Sequence, residues 1–357
     1  MITKNHTYLS RLDHLRFFAI SLVVFMHFSN GIDKPDSVNS FVDFLYLWIK
    51  SGSTGVSLFL VISGFIFCVI TDAGEKNIDY KKFITNRVFR ILPLLLVIFF
   101  IIITINRENS TPLDILRVLT LQLNTGNPYT GWGNNIFPSG PIWTIAVEFQ
   151  FYLIFPFIIN IMHKQGTSKI FLFMLCMIII RSLIVLSSSS NSYDNLYHSI
   201  TGRLDQFLWG VLFGYYYIKQ KGKGFKIPQS LSMIFLGLLI VSMLMIYRSH
   251  SNFYNIFSFN IEALGWSLFL MGYLTLNIKF FGLIDSSLAY LGGLSYSLYL
   301  THLPVGLILS HKLSNHLHFN NSLFFTILII FPVCIFISWI TFNGIEKPFL
   351  MMRKKYL

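Results

Sequence analysis

Apolar side chains run almost unbroken through ten stretches of the chain, near 14–30, 54–71, 88–106, 141–162, 168–187, 203–219, 230–247, 258–277, 287–310 and 321–341. Each holds about 17 to 24 residues, the length an α-helix needs to cross roughly 30 Å of hydrocarbon. The pattern predicts an all-α polytopic membrane protein with about ten transmembrane helices. Connections are short, so residues 1–357 are expected to form one transmembrane domain with no soluble domain appended. One segment departs from this, between about 107 and 140. There LDILRVLTLQL alternates apolar and polar residues loosely and predicts an interfacial or re-entrant helix, followed by a loop rich in Gly, Pro and Asn.

Composition agrees with the pattern. The chain is 54% hydrophobic and 12% charged, with a mean hydropathy of +0.62, more apolar than a soluble core of this length requires. A net charge of +12 raises nucleic acid as a partner, but the basic residues are spaced by the apolar stretches rather than gathered in one domain. With a cytoplasmic N-terminus, most of them fall on one side, including Arg11, Arg16, Lys81, Lys82, Arg87, Arg90 and the cluster from Arg353 to Lys355. The positive-inside rule then places both termini in the cytoplasm. The three cysteines are scattered among separate stretches without CxxC spacing and read as small apolar residues.

The informative positions are those that break the apolar runs. RFFAISLVVFMH begins with Arg16 and ends with His27. Eleven helical steps put the two about 20° apart in azimuth and roughly 16 Å apart in height, on one face. An imidazole at membrane depth can take and return a proton near neutral pH, although it can equally serve a neighbouring helix as a hydrogen-bond partner. Arg16 alone would read as a snorkelling anchor. NRVFRILP adds Arg87 and Arg90 at i and i+3, and guanidinium groups clustered at a cytoplasmic rim can hold phosphates in a fork geometry.

Further along, WTIAVEFQFYLIFP aligns Thr144, Glu148, Tyr152 and Pro156 on one face. A carboxylate at that depth needs a partner such as an arginine or imidazole. Trp143 at the start of the run also fits an interfacial aromatic belt. Arg203 and Asp205 in GRLDQFLWG are two residues apart, so each must face a different helix. LSYSLYLTHLP sets Ser295, Tyr299 and His302 in a polar stripe at i, i+4 and i+7. No Gly-rich phosphate loop, GxSxG elbow or HExxH occurs, and no His/carboxylate spacing favours a metal, so no metal site and no bound cofactor are expected.

Taken in order, these elements resemble the acyltransferase family 3 membrane proteins, which include bacterial O-antigen and other surface-polysaccharide O-acetylases. The resemblance rests on Arg16 and His27 with ten residues between them, GVSLFLVISGFIF from Gly55 to Phe67, and Arg87 and Arg90 followed by Pro93. It continues through Trp143, Glu148, Tyr152 and Pro156, the Arg203 and Asp205 pair, the SYSLYLTH-LP stripe, and Glu346 with Pro348. Where the family usually has Gly before the Leu-Arg pair of the first span, this chain has His14.

The resemblance implies a multi-pass protein of the bacterial cytoplasmic (inner) membrane. Its expected substrates are cytoplasmic acetyl-coenzyme A as acyl donor and a hydroxyl of a cell-surface polysaccharide or its lipid-linked precursor, of O-antigen (lipopolysaccharide) or capsule type. Arg16, Arg87 and Arg90 are then expected to hold the donor's phosphates, His27 and Glu148 to be catalytic, and Trp143, Tyr152, Arg203, Asp205, Ser295, Tyr299 and His302 to support the site. His27 acts either as general base on the acceptor or as an acetylated intermediate. A different class, a saccharide exporter with His27, Glu148, Arg203 and Asp205 as a proton relay, is the alternative. Tyr129, Trp132 and Trp143 can stack on a sugar.

Overall fold

The computed structural model describes residues 8–29, 32–105, 107–109, 111–124, 140–187, 192–220, 225–248, 251–278, 280–317 and 323–357. Among them the regular structure is helical throughout. The helices are α1 Ser10–Phe28, α2 Phe41–Lys50, α3 Thr54–Ile70, α4 Tyr80–Ile105, α5 Pro112–Leu119, α6 Trp143–Gln165 and α7 Ser168–Ser187. They continue with α8 Ser192–Tyr197, α9 Ile200–Lys219, α10 Ile227–Ile246, α11 Asn252–Thr275, α12 Gly282–Gly293, α13 Ser295–Leu317 and α14 Leu323–Met351.

Each apolar stretch lies in helix, with one change. The stretch expected at 287–310 is divided at Leu294 between α12 and α13, where two glycines close the first helix. Among the described residues five helices, α4, α6, α7, α10 and α14, are long and apolar enough to cross a membrane. The pair α2 and α3, bent by 65° at the break between them, adds a sixth. The other long helices carry the polar interruptions that lower their hydropathy, including Arg11, Asp13 and Arg16 on α1 and Arg203 and Asp205 on α9. The loosely alternating segment after residue 107 forms the short helix α5, while Tyr129 and Trp132 lie outside the described residues.

The arrangement separates the helices by surface chemistry. α3 and α9 are mostly buried, whereas α4, α7, α10 and α14 expose Phe100, Leu183, Phe235 and Phe336, as helices facing hydrocarbon should. α3 and α9 approach so closely that a Cβ on Gly64 would lie 2.0 Å from the Phe207 carbonyl oxygen, and one on Gly210 would lie 2.1 Å from that of Val61. Small residues at such a crossing let backbones touch where lipid supplies no hydrophobic drive for association.

α1 is fixed at its first turns. The Arg11 guanidinium donates to the carbonyls of Tyr273, Leu276 and Ile278 at the end of α11, satisfying groups the helix leaves open. His14 is buried; its Nε2 lies 2.9 Å from the Asp285 carbonyl and its Nδ1 2.9 Å from the Tyr273 hydroxyl. The close backbone approach at this point comes from the facing helix, where a Cβ on Gly292 would lie 1.8 Å from the Asp13 carbonyl oxygen.

Candidate active site

A cavity of about 120 Å³ opens between α1, α3, α4, α6 and α13. Arg16, Arg87 and Arg90 line it together with Ser63, Thr144, Glu148, Tyr152, Ser295 and Tyr299. The three arginines expected to hold the donor thus share one space with Glu148, whereas His27 and His302 are not among the residues that line it. The single face expected for Thr144, Glu148 and Tyr152 is the face α6 turns to the cavity. Of the stripe on α13, Ser295 and Tyr299 face the same space. The Tyr299 hydroxyl lies 2.9 Å from Thr144 Oγ1 and 3.0 Å from the Pro141 carbonyl.

Glu148 accepts hydrogen bonds from Ser63 Oγ at 2.9 Å and from the Tyr152 hydroxyl one turn along its own helix. The arginine or imidazole expected beside it is not among these contacts; two hydroxyls solvate the carboxylate instead. His27 has different neighbours. Its Nδ1 lies 2.8 Å from the Val23 carbonyl, which only accepts, so Nδ1 carries the proton and Nε2 keeps its lone pair. His302, fully buried, donates from Nδ1 to the Tyr299 carbonyl at 2.8 Å and turns its unprotonated Nε2 to His27 Nδ1 at 3.4 Å. His302 therefore orients His27 and can spread positive charge that His27 acquires. The His302 ring lies 5.8 Å from that of Tyr299, which connects the histidine pair to the cavity wall.

The three arginines differ in what the fold already supplies. Arg16 is paired with Asp13 at 2.7 Å, one turn back. Arg90 pairs with Glu346, which also accepts from Ser297 at 2.8 Å. Glu346 reaches that position from a π-helical turn, Phe342–Glu346, that interrupts α14. Among the described residues Arg87 has no carboxylate partner. Its guanidinium lies 5.0, 5.3, 5.8 and 5.9 Å from the ring centroids of Phe67, Phe83, Tyr152 and Tyr356, and its Nε is buried without a hydrogen-bond partner.

Arg203 and Asp205 face apart, as their spacing requires, and lie outside the cavity lining. Asp205 pairs with Arg181 of α7 at 2.7 Å and accepts from Asn260 at 3.1 Å, with both charged side chains 0% exposed. Arg203 lies 4.0 Å from the Tyr197 ring centroid and 5.6 Å from that of Trp143, and donates to Ser57 Oγ at 3.2 Å. Trp143 is itself packed against Tyr197 and His198. These residues tie α7, α9 and α11 together.

Glu262 is the residue that sequence reasoning passed over. It accepts from Thr54 Oγ1 at 2.5 Å, Ser57 Oγ at 2.8 Å and Gln206 at 3.3 Å. The signal was present, since NIEALGWS places a carboxylate inside an apolar stretch just as Glu148 does. Among the described residues no three His, Cys, Asp or Glu side chains converge as metal ligands would.

A family model described as an acyltransferase domain matches residues 9–342. The chain is 24% identical, over 381 aligned positions, to a putative peptidoglycan O-acetyltransferase of Bacillus subtilis, YrhL, covering 97% of this chain and 55% of that protein. It is also 24% identical over 327 residues to the O-acetyltransferase OatA of Staphylococcus aureus, covering 84% and 50%. Nodulation protein 10 of Rhizobium leguminosarum is 29% identical over 172 residues, covering 43% and 45%. The chain thus spans about half the length of these relatives. No solved structure matches it.

Proposed function

The chain belongs to the acyltransferase 3 family, and on that premise we propose that it is a membrane O-acetyltransferase using cytoplasmic acetyl-coenzyme A. The acceptor is a hydroxyl of a cell-envelope glycan or its lipid-linked precursor. O-antigen and capsule remain within that class, and the name of the Bacillus relative adds peptidoglycan to it. The observation that carries the reading is the cavity itself, which joins an arginine cluster to Glu148, Thr144 and Tyr299 and reaches the histidine pair through Tyr299. About ten spans with both termini in the cytoplasm of an inner-membrane protein turn the arginine end towards cytoplasmic donor.

The chemistry follows from the hydrogen bonds. His27 Nε2 takes the proton of the acceptor hydroxyl as its oxygen attacks the thioester carbonyl. The tetrahedral intermediate then expels the coenzyme A thiolate, which recovers that proton from the imidazolium. His302 Nε2 and the Val23 carbonyl stabilise the imidazolium through Nδ1–H. Glu148 lies along the cavity and acts through its field on the positive charge at the two ends. The covalent route, with acetyl carried on His27 Nε2, uses the same lone pair and gives the same products.

The test is reconstitution. Protein in proteoliposomes, supplied with acetyl-coenzyme A, should release free coenzyme A and form acetyl esters on envelope glycan. Cells lacking the protein should lose those esters. Cysteine placed at Gly222 should be labelled only from the cytoplasmic side, and one at Asn127 from outside. Esters that persist without the protein, or reversed labelling, contradict the reading. An exporter would instead move labelled saccharide without consuming donor.

A further inference from the structure

We infer that residues 352–357 form a wall of the donor site, and that Arg353 within them binds a phosphate of the acyl donor jointly with Arg87. The inference rests on the acetyl-coenzyme A reading and adds to it a segment and a residue that lie beyond α14.

The segment is fastened to the start of α4. Asn86, itself buried, donates from Nδ2 to the Lys354 carbonyl at 2.6 Å and accepts from the Lys354 N–H at 2.9 Å. The Asp79 N–H donates to the Tyr356 carbonyl at 3.0 Å. Tyr356 is buried, with its ring 5.4 Å from that of Phe83, and so forms one side of the aromatic enclosure around Arg87. Arg353 immediately precedes the latched Lys354. Burial, with the guanidinium groups of Arg90 and Arg87 beside it, pushes Arg353 down to about 9.

The charges do not balance within the fold. Arg87, Arg90 and Arg353 lie within electrostatic reach of one another, and the carboxylate that also acts on them, Glu346, already serves Arg90 and Ser297. Aromatic rings stabilise the Arg87 cation through their faces but accept none of its in-plane N–H groups well. Among the described residues Arg87 Nε and Arg353 Nε are both buried without a partner; Arg181 and Arg203 also keep one such nitrogen each, but their guanidinium groups donate elsewhere, to Asp205 and to Ser57 and Gln206. Orphaned, charged donors cost free energy unless an acceptor arrives. A merely solvated basic rim would leave these nitrogens in water. Two planar forks with unspent donors match the oxygens of a phosphate or pyrophosphate, a chemistry offered both by coenzyme A and by the headgroup of an anionic lipid.

The experiment measures binding rather than turnover, with full-length protein in phosphatidylcholine nanodiscs titrated calorimetrically with coenzyme A. Arg353→Gln should weaken coenzyme A by about tenfold or more, the scale of a charge-assisted hydrogen bond, and Arg353→Lys should recover only part. Pantetheine, which lacks the nucleotide phosphates, should bind both proteins alike. Lys355→Gln, at an exposed neighbouring position, should have less than about twofold effect. Asn86→Ala, which unfastens the segment without removing a charge, should also weaken coenzyme A. Wild-type protein that binds no coenzyme A overturns the donor reading and this inference with it. Wild-type binding left unchanged by Arg353→Gln, or reduced equally by Lys355→Gln, overturns the inference alone. So does an Arg353 effect that appears only as competition by added phosphatidylglycerol, which would assign the residue to lipid.

Discussion

Replacing His27 with Gln separates a structural imidazole from a catalytic one, because the contacts set the two costs on different scales. Gln is of similar size and its amide can reach the Val23 carbonyl that His27 Nδ1 contacts at 2.8 Å. At most one hydrogen bond is weakened, about 1 kcal/mol of stability, and insertion and donor binding should survive. The lone pair on Nε2 cannot be replaced. Losing a general base costs about 10²- to 10⁴-fold in rate, or roughly 2.7 to 5.4 kcal/mol of transition-state stabilisation. His302→Gln removes the acceptor facing Nδ1 at 3.4 Å and should cost less than His27→Gln. The double variant should fall well short of the product of the single effects, because the rings act as one unit. Coenzyme A release and acetyl-ester formation in proteoliposomes, normalised to donor affinity, measure all three. A His27→Gln protein that binds donor and acetylates at close to the wild-type rate would refute the mechanism, whatever its stability.

Other expectations follow from the same contacts. Arg87→Ala should raise the donor KM about tenfold with little change in kcat, and Lys should substitute poorly because it lacks the fork; an unchanged KM would remove its phosphate role. Arg90→Ala should raise KM too and also lower thermal stability by about 3–5 kcal/mol, since Glu346, 1% exposed, loses its cation. Arg181→Met should destabilise on a similar scale by stranding Asp205, and the double variant Arg181→Met, Asp205→Leu should restore much of the loss; a donor KM that moved with it would return Asp205 to the active site. Gly64→Ala should cost about 1–3 kcal/mol by forcing α3 from α9, and detergent melting curves unaffected by it would contradict the close crossing.

What was legible in the sequence was whatever depends on one helix at a time. The interval from Arg16 to His27 and the shared face of Thr144, Glu148 and Tyr152 follow from helical geometry, and both recur in the fold. Partner choice did not follow. Nothing in the chain order says that His27 meets His302, 275 positions away, or that Asp205 meets Arg181 rather than another cation, because helix pairing in a membrane is set by packing of small residues far apart in sequence. The break between α12 and α13 was hidden for a related reason, since an apolar run reads the same whether the helix within it is continuous or divided. Arg353 showed only as part of a basic cluster and Tyr356 not at all, because the role proposed for them depends on a backbone latch between Lys354 and Asn86.

The ionisable groups inside this helical body differ most usefully in whether the fold completes them. Arg90 with Glu346, and Glu262 with Thr54, Ser57 and Gln206, find partners within the chain, and so does Arg181 with Asp205, although Arg181 Nε and Asp205 Oδ1 stay buried without one. Such networks explain how polar residues survive in apolar helices, and they ask nothing of a ligand. His27 keeps a free lone pair at Nε2, and Arg87 and Arg353 keep unspent N–H donors. A buried group left incomplete is retained at a cost to stability unless something outside the chain completes it. The base needs a proton to take and the two arginines need an anion to hold. A phosphorylated acyl donor and a hydroxyl acceptor, the substrates proposed above, would supply both.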